Sequence, residues 1–158
     1  MAIRYAHTNV VAKDWRALAE FYIQVLDCEP VPPERDYRGE VIGKIAGLPP
    51  DESMRLSGIH LRLPGHGPGG PTLEIFEYHP AGEQFEIRSD TAGFSHIAFG
   101  VDDVAVITEK FLAHGGRELG ERVEMDVDGA GRIELHYLAD PEGNIVELQK
   151  WTPAKSGD

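Results

Sequence analysis

The sequence predicts an α+β fold built from two βαβββ modules in tandem. Three observations carry this. Residues 4–30 open with His7, run into a helical pattern and end at a turn, and residues 93–116 repeat that order around His96. Both halves also close alike, with Leu-Glu-Ile-Phe-Glu-Tyr-His-Pro at 73–80 and Val-Glu-Leu-Gln-Lys-Trp-Thr-Pro at 146–153. Glu74 and Glu147 then stand six residues before a Pro in their own copies. Finally, 158 residues suit one ordinary domain, or two small modules sharing a core. The expected division is a first module over 1–80, a linker over 81–92, a second module over 93–153 and a tail over 154–158.

The elements follow in order. Residues 3–12 read as a strand, and Asp14 is the N-cap of a helix on which Leu18, Phe21, Tyr22, Val25 and Leu26 keep helical spacing. That helix must stop before Pro30. A Pro-rich approach (Pro30, Pro32, Pro33) leads to a second strand expected over 37–45. A loop or short helical turn starts at Gly47. Strands at 57–63 and 72–78 are joined by a Gly/Pro loop over 64–71, which has neither the Lys-Ser/Thr nor the following helix of a phosphate-binding loop. The second half repeats the scheme. Its elements are a strand at 94–101, a helix capped by Asp102 or Asp103 and ended by Gly115 and Gly116, strands at 118–125 and 132–138, a turn at 140–144, and a last strand at 145–151.

Composition narrows the function. The formal net charge of −12 argues against nucleic acid or an anionic membrane as the main partner. No apolar stretch approaches the ~20 residues of a membrane span, and the first residues carry no apolar signal core. A cytosolic setting is therefore expected. Cys28 is the only cysteine, which excludes an internal disulfide.

Strand alternation sorts the candidate residues by face. Glu74 shares a face with Phe76 and Tyr78, while Leu73 and Ile75 lie opposite. Glu147 shares a face with Ile145 and Gln149, while Val146 and Leu148 lie opposite. The apolar residues belong under the helices, so both glutamates belong on the other face. Singly, a strand His is usually a hydrogen-bonded structural residue, and a strand Glu is usually a wet-face residue. Duplication changes the weighing, because His7, Glu74, His96 and Glu147 recur at matching places. Two imidazoles and two carboxylates meeting about a pseudo-two-fold axis make a divalent-metal site.

The same stretches carry a family resemblance. His7-Thr-Asn-Val, Phe21-Tyr22, Val25-Leu26, Leu73-Glu74-Ile75, Phe94-Ser-His96-Ile-Ala-Phe and Asp140-Pro-Glu-Gly-Asn-Ile-Val-Glu147-Leu together resemble the vicinal oxygen chelate superfamily. That superfamily includes glyoxalase I, methylmalonyl-CoA epimerase, extradiol dioxygenases and bleomycin-resistance proteins. The resemblance covers nearly the whole chain. It implies paired βαβββ modules forming an open, cup-shaped, eight-stranded mixed sheet with helices outside. It also implies His7, Glu74, His96 and Glu147 as the four ligands of one divalent ion (Zn, Ni, Co, Mn or Fe), and a homodimer.

The resemblance further implies metal-assisted chemistry on a small molecule with vicinal oxygens. Proton transfer next to a carbonyl, through a metal-stabilised enediolate or enolate, is the expected reaction of an isomerase, epimerase or lyase. Glu74 and Glu147 are expected as ligands that can also act as base. Glu40 stands where the epimerase carries a second-strand base. Two alternatives remain: an Fe(II)-dependent extradiol-type dioxygenase, which would use His7, His96 and Glu147 alone, and a non-catalytic drug-binding protein of the bleomycin-resistance type. The places that serve glutathione in glyoxalase I hold Val11 and Tyr78 here, which departs from that enzyme. His136 is expected to be structural, with a pocket acid or base as the alternative. His60, His66, His79 and His114 fall at loop or unmatched positions and receive no role.

Overall fold

The computed structural model describes residues 3–154; residues 155–158 of the expected tail lie outside the described residues. The chain divides into two compact units, Met1–Gln84 and Phe85–Asp158. The division falls in a stretch without helix or strand that includes the expected linker.

The first unit runs β1 (His7–Val11), α1 (Trp15–Leu26), β2 (Glu29–Arg38), α2 (Val41–Ala46), β3 (Arg55–Arg62) and β4 (Thr72–His79). Its sheet order is β1-β4-β3-β2, with β1 parallel to β4 and the other pairs antiparallel. Asp14 caps α1 by accepting the Arg16 and Ala17 N–H groups, each at 3.1 Å. Such a cap contributes about 1 kcal/mol. The helix buries Leu18, Tyr22 and Val25 against β3 and β4, where Leu61, Leu73 and Ile75 are fully buried. It ends at Asp27 in the left-handed region, φ 53°.

The second unit runs β5 (His96–Gly100), α3 (Val104–Ala113), β6 (Arg117–Glu118), β7 (Val123–Val127), β8 (Gly131–Ala139) and β9 (Ile145–Pro153). Strand β5 is parallel to β9, and β8 is antiparallel to it. Both β6 and β7 pair with β8, so one edge position is filled by two pieces. Asp103 caps α3 by accepting the Val106 N–H at 3.0 Å. Leu138, Val146 and Leu148 are fully buried beneath that helix. The α+β class and the tandem βαβββ plan therefore hold, as two open mixed sheets of four and five strands.

Two elements differ from expectation: the strand expected at 118–125 is split into β6 and β7, and the second strand is displaced. The second strand was expected at 37–45, after the prolines, but β2 already begins at Glu29 and contains Pro30, Pro32 and Pro33. The physical reason is position. β2 is an edge strand, where a residue without N–H leaves no ladder bond unmade. Gly39, at φ 89°, then turns the chain and Val41–Ala46 forms α2. Short apolar runs such as Val41, Ile42 and Ile45 do not distinguish strand from helix.

Gly58 fixes how closely β3 and β4 approach. A Cβ there would lie 2.1 Å from the Ile75 carbonyl oxygen and 2.2 Å from the Phe76 ring. Backbone on one side and the buried Phe76 ring on the other leave it no room. Gly58→Ala is expected to destabilise the protein by about 2–3 kcal/mol, measured by urea unfolding. A loss within ~0.5 kcal/mol, the range of an ordinary surface change, would show that the strand pair yields.

Candidate metal-binding site

The candidate site residues of the first unit come from three neighbouring strands. Glu74 on β4 stands directly opposite His60 on β3 and beside Asn9 on β1. His7 lies opposite Thr72, one step along the same face. That face carries His7, Asn9, His60, Thr72, Glu74 and Phe76, while Leu73 and Ile75 point under α1. The register thus brings three ligand-type side chains together. One donor atom each from His7, His60 and Glu74 lies within 4.8 Å of the other two.

Glu74 is the centre of the group. Its side chain is only 14% exposed. His60 Nε2 lies 2.9 Å from Oε1, Asn9 Nδ2 donates to Oε2 at 3.0 Å, and His7 Nε2 stands 3.7 Å from Oε2. A nearly buried carboxylate is tolerated only when donors or a cation compensate its lost hydration. On its other side, His60 Nδ1 is 3.0 Å from Thr72 Oγ1. Burial pushes the His60 imidazole below its ordinary pKa, with Arg35 and His7 adding to the shift and the Glu74 charge opposing it. His7 and His60 meet edge to face, with ring centroids 5.7 Å apart.

The second unit repeats the register. His96 on β5 lies opposite Ile145, one step from Glu147 on β9, and Tyr137 on β8 stands directly opposite Glu147. His96 Nε2 is 3.0 Å from Glu147 Oε2, and the Glu147 side chain is 10% exposed. The His96 and Tyr137 rings lie 5.0 Å apart. Burial raises the Tyr137 phenol above its ordinary pKa, and the charge of Glu147 and a hydrogen bond to it add to the shift. Tyr137 therefore occupies, opposite Glu147, the place His60 occupies opposite Glu74.

A family model for the Glyoxalase/Bleomycin resistance protein/Dioxygenase superfamily matches residues 4–148. The chain belongs to this superfamily. Among solved structures, a glyoxalase family protein from Bacillus cereus is similar with 18% identity and a TM-score of 0.77, covering 96% of this chain and 95% of that one. The genomically encoded fosfomycin resistance protein FosX from Listeria monocytogenes is similar with 19% identity and a TM-score of 0.56, covering 96% of each chain. The form of FosX complexed with Mn(II) and sulfate shows 16% identity and a TM-score of 0.57, covering 96% of this chain and 95% of that one. At these identities the likeness concerns the fold. Comparison with curated proteins finds no match.

Within this superfamily member, the predicted pairs meet inside their own modules: His7 with Glu74, and His96 with Glu147. His60 was passed over, because no histidine stands at its counterpart in the second half. The missed signal was cross-strand register with Glu74, which a repeat search does not reveal. Glu40 sits elsewhere than expected. It precedes α2 in helical conformation and pairs with Lys44 at 2.5 Å, so it is not on the second strand. A residue placed beyond the turn at Gly39 cannot follow the alternation of β2.

His136 is 2% exposed, lies 3.2 Å from the Thr108 hydroxyl, and has Nε2 3.0 Å from the Gly120 carbonyl oxygen. These bonds tie α3 and the 120 region to β8, which is a structural role. Cys28 is buried, and burial together with the Asp27 charge pushes its thiol up to about 12. It is therefore no nucleophile at neutral pH. No described helix is long and apolar enough to cross a membrane.

Proposed function

We propose that the protein is a metal-dependent enzyme of isomerase, epimerase or lyase type that moves a proton next to a carbonyl. The observation that carries this reading is the duplicated pairing of a nearly buried glutamate with a strand histidine, His7 with Glu74 and His96 with Glu147. Two imidazoles and two carboxylates suit a borderline divalent ion such as Zn, Ni, Co, Mn or Fe. His7 Nε2 and Glu74 Oε2 already stand 3.7 Å apart. When bound, the ion supplies Lewis acidity to neighbouring substrate oxygens.

The chain's own residues then divide the work. Glu74 is held by Asn9 and faces both His60 and His7, and this fixed carboxylate serves as a ligand. Glu147, bonded by Tyr137 and facing His96, is the carboxylate that carries the proton. Half-buried Arg35 stands opposite Gly58, on the same face as His60 and Glu74. Its Nη1 is buried without a hydrogen-bond partner. That nitrogen favours an anionic oxygen on the substrate, such as the carboxylate of a 2-oxo acid. A second copy of the chain is the proposed partner, because Ile3, Ile45, Phe85 and Phe94 are each at least 80% exposed.

The test is solvent deuterium exchange into a panel of 2-oxo acids, beginning with pyruvate and 2-oxobutyrate, followed by NMR on metal-loaded protein. Exchange is expected, and it should vanish with chelator. Glu147→Gln should slow it by about 100-fold or more, within the range of a lost general base. Oxygen consumption without exchange would replace this reading with the Fe(II) dioxygenase. Tight binding of aromatic or drug-like compounds, with neither activity, would replace it with a sequestering protein.

A further inference from the structure

We propose that His60 is a positioning residue for Glu74, holding Oε1 by an Nε2–H hydrogen bond so that Oε2 alone is presented towards His7 and a bound cation. The proposal rests on the reading of Glu74 as a metal ligand. Three observations lead to it. His60 Nε2 lies 2.9 Å from Oε1, while the Oε2 oxygen is the one that His7 approaches. An ionised carboxylate only accepts hydrogen bonds, so the nitrogen facing it must carry hydrogen. At the far side of the ring, Thr72 Oγ1 stands 3.0 Å from Nδ1. A hydroxyl donating to Nδ1 leaves the proton on Nε2 and fixes the tautomer, the usual work of an outer group behind a ligand.

The arrangement is a relay of orientation, from Thr72 to His60 to Glu74. Residues 60, 72 and 74 lie on one face of two paired strands, and the register sets Thr72 and Glu74 two positions apart around His60. Asn9 Nδ2 restrains the same carboxylate from β1 through Oε2 at 3.0 Å and is 3.4 Å from the Glu74 carbonyl oxygen. With Oε1 facing His60, Glu74 offers a cation only the remaining lone pair of Oε2, the oxygen that also accepts from Asn9, and cannot swing to a two-oxygen grip. The second module has its own version. Tyr137, directly opposite Glu147, donates a phenol hydrogen bond to that carboxylate. A neutral phenol and a neutral imidazole perform the same task at matching places, although they share no sequence similarity.

Two readouts test the inference. In metal-free wild-type protein, nitrogen-15 NMR of the His60 ring should show hydrogen on Nε2 and a bare Nδ1; hydrogen on Nδ1 alone would overturn the proposal. Titration with Co(II) then compares wild type, His60→Gln and His60→Leu, each checked for folding by circular dichroism. Gln places an N–H donor near the Nε2 position, so its affinity should stay within about threefold of wild type, whereas Leu should lose ~10–100-fold. The visible Co(II) spectrum should be the same in all three, because the ligands do not change. Wild-type affinity in the Leu variant would overturn the proposal. So would a Co(II) spectrum altered in the Gln variant, which would make His60 a direct ligand. Failure of wild-type protein to take up Co(II) would overturn the metal reading alone. The tautomer would then still decide whether His60 fixes Glu74.

Discussion

Replacing Glu74 with Ala is expected to weaken divalent-metal binding by at least ~100-fold, above the 10–100-fold that outer groups typically command. The substitution removes a proposed ligand. It also leaves His60 Nε2 and Asn9 Nδ2, which both meet that carboxylate, without their acceptor. Those groups would then face one another across a nearly buried site with one negative charge fewer to balance a cation. Isothermal titration with Mn(II) or Co(II) measures the change, and elemental analysis of the purified protein gives the stoichiometry. About one ion per wild-type chain is expected for a set of two imidazoles and two carboxylates. Glu40→Ala is the control. Its carboxylate pairs with Lys44 at the start of α2 and is 45% exposed, so metal affinity should not change. Equal affinity in Glu74→Ala and wild type would remove Glu74 from the ligand set.

The second large effect is on stability. Phe111→Ala is expected to cost about 3–5 kcal/mol, the usual range for a fully buried aromatic. Phe111 is completely buried on α3, which packs on β8 and β9. Its ring is seated against the chain just beyond the helix. A Cβ on Gly116 would lie 2.2 Å from the ring, and the Gly116 N–H donates to the Phe111 carbonyl at 3.1 Å. Truncation therefore opens a cavity between the helix and its own C-terminal turn, and neither side can close it without breaking that bond. Urea denaturation should show the loss, with Tm lower by about 10 °C. A loss under ~1 kcal/mol would mean that the second module repacks around the gap.

The legibility of the fold came from duplication. A matching strand, capped helix and closing strand in both halves put His7 and His96, and Glu74 and Glu147, at matching places. Caps at Asp14 and Asp103 were equally readable, since a short acidic side chain before a helical stripe has a local physical meaning. Strand β2 was harder to place. Its prolines suppress the ordinary strand signal, and only its position at the sheet edge makes them acceptable. The two-piece edge of β6 and β7 was not visible either, because it depends on what pairs with β8.

The site shows the same boundary. The amino-acid order by itself determined the repeat, the superfamily resemblance, the face on which each glutamate stands and the apolar face opposite. These are consequences of local periodicity and of spacing within one strand. Tertiary structure alone decided that His60 stands across from Glu74 with Thr72 behind it, that Tyr137 stands across from Glu147, and that Glu40 lies beyond the turn at Gly39. Cross-strand register is set by loop length and core packing, and a one-residue slip would send every side chain to the other face.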